Sequence, residues 1–217
     1  MDLTKTFVYR ITHIDNISHV LRYGITHRNS PNSNPDYRAI GDASLIDTRS
    51  HRHVRVNNGR INSPHRTILL GDFIPFYFGV RMPMLYVIQR GGNFVPEAVT
   101  PSEIVYMACP ISMLVERQSE YYYTNGHATE SCTSIFDSSC MDDLATNVDW
   151  SAVRTRYWGG SDNLMVKARK QAEFLVRDDV SPECITSFAC YDRTAKRKLI
   201  RMGIDESRIK VFPEAYY

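Results

Sequence analysis

The period of the apolar positions changes along the chain, and each change marks an element. Residues 7–11 (FVYRI) are short, aromatic and β-branched, the composition of a strand. Asp15 or Asn16 then offers a cap for a helix running to Tyr23, with Ile17, Val20 and Leu21 on one face and Gly24 as its stop. Residues 30–35 (SPNSNP) form a turn-rich loop. Residues 73–78 (FIPFYF) and 84–89 (MLYVIQ) read as two strands separated by 79–83. The stretch 107–117 fits a short helix or a strand, 149–157 a helix or irregular chain, and 159–162 (GGSD) a loop. Residues 167–176 (KARKQAEFLV) pass from charged to apolar, as expected of a chain entering a buried strand. A basic helix over 192–202 and a last short strand over 210–212 complete the pattern. Strands scattered between helices, with no repeat or low-complexity segment, predict one α+β domain over residues 1–217.

Composition changes this picture little. A chain of 217 residues, 43% hydrophobic and 23% charged, has the makings of a folded core and not of a disordered segment. A net charge of +2 is too small to indicate a nucleic-acid binder by itself. No apolar run is long enough for a membrane span, and MDLTKTFVYR lacks the features of a signal peptide, so a cytoplasmic protein with no membrane partner is expected. Five cysteines, never spaced CxxC, argue against a disulfide framework or a four-cysteine zinc site.

The distribution of charge says more than its sum. Residues 10–66 hold nine arginines against four aspartates, an excess of five, together with six of the seven histidines and no lysine. Arginine suits planar, bidentate recognition of phosphate. Arginines solvated on several faces are the alternative.

Familiar catalytic motifs are absent: no GxxxxGK[ST] or GxGxxG phosphate loop, no HExxH helix and no GxSxG elbow. His51 and His53 lack acidic or cysteine partners at ligand spacing and read as a surface pair, so no metal is expected. Adjacent Asp142 and Asp143 point different ways in any regular element. Glu173 stands out, because it immediately precedes the apolar run Phe174-Leu175-Val176. Such a carboxylate either faces solvent on an edge strand or projects into a cleft that controls its charge. Arg49, in Leu45-Ile46-Asp47-Thr48-Arg49, has the same two readings.

Several segments, in order along nearly the whole chain, resemble the DarT-type DNA ADP-ribosyltransferase toxins. They are Tyr9-Arg10-Ile11-Thr12-His13-Ile14-Asp15-Asn16, Ile74-Pro75-Phe76-Tyr77-Phe78, Arg81-Met82-Pro83-Met84-Leu85-Tyr86, Thr124-Asn125-Gly126-His127, Lys170-Gln171-Ala172-Glu173-Phe174-Leu175-Val176 and the terminal Tyr216-Tyr217. The resemblance implies a compact mixed ADP-ribosyltransferase fold, with a split sheet forming a cleft for NAD as substrate. It assigns Arg49 and Glu173 to catalysis. It places Arg10, Ile11, Thr12, His19, His27, Arg49, Tyr77 and Met84 at NAD, and His127 near the rim on the DNA side. Arg10 stands where some relatives have histidine, which matters little if only its backbone binds.

Under that resemblance the residue types make chemical sense. Cleavage between nicotinamide and ribose builds positive charge that a carboxylate such as Glu173 stabilises. Arg49, a guanidinium and so a poor proton acceptor, is suited to electrostatics and positioning before proton relay. A base buried in a duplex hides its nucleophile, so single-stranded DNA is the expected substrate. Arg52, Arg55 and Arg60 would then track backbone phosphates, with Tyr157 and Trp158 available for base stacking. A toxin paired with a DarG-like macrodomain antitoxin is implied. The competing readings are the same fold acting on RNA or protein, or an inactive nucleic-acid-binding module, against which the presence of both Arg49 and Glu173 argues.

Overall fold

The computed structural model describes residues 1–60, 66–92, 95 and 97–217. In chain order the elements are β1 (Phe7–His13), α1 (Ile17–Tyr23), α2 (Ala43–His51), β2 (His53–Val56), β3 (Arg66–Leu69), β4 (Ile74–Tyr77), α3 (Pro83–Arg90), β5 (Ile104–Pro110) and α4 (Ile111–Arg117). There follow β6 (Tyr121–Thr124), β7 (Ile135–Phe136), α5 (Leu144–Asn147), α6 (Trp150–Arg154), α7 (Leu164–Lys170), β8 (Glu173–Val176), β9 (Ser187–Cys190), α8 (Arg193–Arg201) and β10 (Ile209–Val211). Eight strands form one sheet in the order β10-β9-β5-β1-β4-β8-β6-β7, antiparallel except for β9–β10, and β2–β3 form a separate hairpin. The α+β expectation holds.

The sheet has a seam. β1 pairs with β5 along its whole length, from Phe7 opposite Pro110 to His13 opposite Ile104. With β4 it shares only the pair Tyr9–Tyr77, beyond which the two strands part. β4 in turn pairs along its whole length with β8, Tyr77 lying opposite Glu173. Two half-sheets therefore meet at one residue pair, which is the split expected for the fold.

Cross-strand partners share a face, so Tyr9, Tyr77 and Glu173 all project to the same side. On the other side Val8, Phe76 and Phe174 enter a single core. The face of Glu173 carries two separate clusters. One gathers Leu85, Ile88, Tyr106 and Tyr216 with Tyr77 packed against it; the other joins Leu70, Phe73, Tyr122 and Leu175 beneath the hairpin.

One element departs from its expected type. Residues 84–89 lie in α3 and not in a strand. Pro83 occupies the first turn, buried Leu85 and Ile88 recur three residues apart while Tyr86 and Arg90 are exposed, and Gly91 at φ 68° ends the helix. The stretch 107–117 proves to be both, the end of β5 followed by α4. At α1 the expected acidic or amide cap does not form: His13 Nδ1 accepts from the Asp15 N–H instead. Asn16 is used elsewhere, donating to Thr12 Oγ1 and the Arg38 carbonyl and accepting from the Arg38 N–H. Gly24 ends α1 as expected, at φ 81°, where a Cβ would lie 1.9 Å from the Val180 carbonyl oxygen.

Candidate active site

The site is built where the half-sheets part. Glu173 opens β8, and its carboxylate is almost fully buried. Its backbone is set by Thr124 on neighbouring β6, whose Oγ1 accepts from the Glu173 N–H at 2.8 Å and donates to the Gly126 carbonyl at 2.6 Å. The carboxylate is held from two sides. Arg49, in the last turn of α2, donates from Nη1 to Oε2 at 2.9 Å and Oε1 at 3.2 Å. His127 Nε2 lies 3.6 Å from Oε1, its Nδ1 is bonded to Thr129 Oγ1 at 2.7 Å, and the Ala128 N–H reaches Oε1 at 3.5 Å. A buried carboxylate needs such partners to stay charged.

Tyr77 lies directly opposite Glu173 on β4. Burial, reinforced by the negative charge of Glu173, pushes its phenol well above the ordinary tyrosine range, so it stays protonated and is a hydrogen-bond donor. Arg10 reaches across the parted strands from β1, donating through Nη1 to the Pro75 carbonyl on β4 at 2.7 Å. Its side chain therefore ties β1 to β4 where the two strands part.

From this point a cavity of about 410 Å³ opens between β1, α1, α2 and the start of β4. Arg10, Thr12, His19, His27 and Arg49 all line it. His27 is fixed by donating from Nε2 to the Gly71 carbonyl at 2.7 Å, so its Nδ1 is the acceptor for the Asn29 N–H at 3.2 Å. His19 stacks on Tyr23, with ring centroids 4.8 Å apart. Arg49 Nη2 is buried and makes no hydrogen bond among the described residues.

The other expected residues lie elsewhere. Ile11 and Met84 pack against the cluster beneath α3 and do not line the cleft. Arg52 and Arg55 are exposed at and beyond the end of α2, outside the lining of the cleft. His127 is buried against Glu173 and not exposed on a rim. Tyr157 is 85% exposed, whereas Trp158 is anchored: its Nε1 donates to the Tyr217 hydroxyl at 2.5 Å and its ring meets Tyr86 edge-on. Sequence reasoning missed Thr124 as the group that sets Glu173, although it opens the Thr124-Asn125-Gly126-His127 segment. Among the described residues no three His, Cys, Asp or Glu side chains gather as a metal-binding group, and no helix is long and apolar enough to cross a membrane.

Comparisons with known proteins identify the family. Residues 9–217 match the family model described as ssDNA thymidine ADP-ribosyltransferase, DarT. A DNA ADP-ribosyl transferase of Thermus sp. (strain 2.9) is 30% identical over 212 residues, covering 97% of this chain and 90% of that protein. The structure of Thermus sp. 2.9 DarT in complex with ADP-ribosylated ssDNA superposes with a TM-score of 0.80 at 26% identity, covering 98% of this chain and 96% of the other. The structure of Thermus sp. 2.9 DarT in complex with NAD+ gives 0.73 at 25% identity, with 98% of each chain covered. The chain belongs to the DarT family of ssDNA thymidine ADP-ribosyltransferases.

Proposed function

We propose that this protein transfers ADP-ribose from NAD to a thymidine base of single-stranded DNA, with Arg49 and Glu173 as its catalytic pair. The observation that carries the reading is the buried Arg49–Glu173 pair, whose arginine lines the cleft beside the parted strands. The cleft suits a dinucleotide in three respects. Its volume lies in the range of small-molecule sites. Arg10, Arg28 and Arg49 line it with positive charge, and the buried Arg49 Nη2 is a donor without a protein acceptor. Thr12 and Arg10 would hold the nicotinamide end, and His19 and His27 the adenosine end.

NAD, when bound, supplies a ribosyl carbon whose bond to nicotinamide breaks with a build-up of positive charge. Glu173 faces that charge with a carboxylate already oriented by Arg49, Thr124 and the Ala128 N–H, so little reorganisation is required at the transition state. In thymidine the only ring nitrogen carrying a proton is N3, and it must lose that proton as it attacks. Arg49 is too basic to accept it. Glu173 Oε1 takes the proton, with His127 Nε2 at 3.6 Å to carry it onward. Arg49 orients the carboxylate and the base. The protein acts as the toxin of a toxin–antitoxin pair, opposed by a DarG-like macrodomain antitoxin, a reading supported by the family to which it belongs.

The test is incubation with NAD and four oligonucleotides, each containing a single base type, followed by mass spectrometry. An ADP-ribosyl adduct confined to thymidine is expected. An adduct on another base, or on RNA or protein with none on DNA, would overturn the reading.

A further inference from the structure

The Tyr9–Tyr77 junction separates two cavities, and the cleft just described is only one of them. On its other side the start of β1, the turn after β4 and the chain after α6 enclose a second cavity of about 580 Å³. Five cations line it, Lys5, Arg81, Arg154, Arg156 and Lys210, against one carboxylate, Glu214. Lys5 pairs with Asp2 at 3.5 Å, and the other four have no carboxylate partner among the described residues. Arg156 makes no ion pair or hydrogen bond among the described residues. Arg154 lies over the Trp150 ring and Lys210 over the Phe212 ring, at 5.8 and 4.7 Å from the centroids. Arg81 bonds the carbonyl of Tyr216 through Nη1, while its Nε is buried without a partner.

The wall of this cavity is built to a fixed shape. A Cβ on Gly79 would lie 2.8 Å from both Cγ1 and the carbonyl oxygen of Val153, so only glycine lets the β4 turn press against the end of α6. Buried Lys170 fastens the two segments, donating from Nζ to the carbonyls of Val80 at 3.2 Å, Val153 at 2.9 Å and Thr155 at 2.8 Å. Lys170 stands three residues before Glu173, so the cavity wall and the catalytic carboxylate are positioned by one short piece of chain. Phe7 and Tyr9 add aromatic surface to the lining, and exposed Tyr157 follows Arg156 directly. Cations interleaved with aromatics are what single-stranded nucleic acid requires of a groove.

We propose that this second cavity binds phosphodiester groups of the DNA strand on one side of the base presented to Glu173. The proposal rests on the reading of single-stranded DNA as substrate. The distance suits it. Tyr9, Tyr77 and Glu173 are successive cross-strand partners, so roughly 10 Å of sheet separates the cavity's edge from the catalytic residue. At about 3.4 Å per nucleotide along a stacked strand, that is roughly three nucleotides.

The experiment compares wild type with an Arg154→Ala/Arg156→Ala variant, both substitutions on exposed side chains outside the catalytic cleft. Binding of single-stranded oligonucleotides of roughly four and roughly sixteen nucleotides, each with one central thymidine, is titrated against salt by fluorescence anisotropy. NAD hydrolysis without DNA serves as the control for fold and cleft. Each phosphate contact on a single strand contributes roughly 0.7 to the salt slope, so loss of two contacts should flatten the slope for the long oligonucleotide by about one unit or more. Affinity for it should fall about tenfold at low salt, with the short oligonucleotide and NAD hydrolysis unchanged. An unchanged slope for the long oligonucleotide, or an equal loss on the short one, would overturn the proposal. Failure of wild type itself to bind or modify the DNA would instead refute the substrate reading.

Discussion

The two faces of the large sheet differ in how their apolar residues join. On one, Val8, Phe76 and Phe174 from three adjacent strands enter one continuous core. On the other, Tyr77 packs toward the cluster under α3 and Leu175 toward the cluster under the hairpin, and between them stands the Glu173 carboxylate with Arg49. A continuous face maximises burial. A divided face gives up some of it to hold a charge in a dry setting, where its interactions are strong. The comparison teaches that β8 gives Phe174 to the continuous core and Glu173 to a buried ion pair, one residue apart.

Five predictions would break or sharpen this contrast. The largest concerns the continuous face: Phe174→Ala should cost about 3–5 kcal/mol in a denaturant titration, the range for emptying an aromatic site in a packed core. The double replacement Arg49→Met/Glu173→Leu should leave stability within about 1 kcal/mol of wild type or above it, because a buried ion pair exchanged for apolar side chains is often neutral or stabilising. A large loss in the double variant would make the pair structural. Next, Thr124→Val leaves the buried Glu173 N–H without an acceptor, which should cost about 1–3 kcal/mol and lower transfer to DNA, measurable together on one preparation.

The fourth concerns Lys170, whose pKa burial pulls down to about 8 from an ordinary 10.5. Between those values the unfolded chain holds a proton that the folded protein has released, so stability rises with pH across that window and is lowest, for this group, below it. Lys170→Met should remove the rise. A pH–stability profile identical in the two proteins would refute the assignment. The smallest effect belongs to the exposed arginines after α2. Arg52→Ala/Arg55→Ala should flatten the salt dependence of DNA binding by about one unit if the strand passes there, with stability changed by less than about 0.5 kcal/mol. Should these substitutions and those at Arg154 and Arg156 both flatten the slope, the strand crosses the junction; if only one pair does, that pair marks its side.

The sequence made some of this legible and not the rest, for physical reasons. The change from charged to apolar across 167–176 located β8, and Gly24 located the end of α1. Residues 84–89 are apolar at nearly every position, so periods of two and three both fit them; the outcome depended on Pro83 and on which side chains face the core. Arg49 and Glu173 lie 124 residues apart, and no local pattern predicts that they touch. Only the family resemblance joined them. Lys170 follows Lys167 and Arg169 and looks like one more solvated charge, yet three backbone carbonyls surround it. Tertiary enclosure of that kind leaves no trace in residue type.

The central claim is that Glu173 does chemistry on the divided face without being needed for the fold. The most direct measurement is the rate of ADP-ribosyl transfer to a thymidine oligonucleotide by purified Glu173→Gln, with its thermal unfolding followed alongside. The account predicts a fall on the order of 10²–10³ or more in rate, as for loss of a preorganised transition-state charge, in a protein that still melts cooperatively. Transfer at the wild-type rate by a folded Glu173→Gln would contradict it.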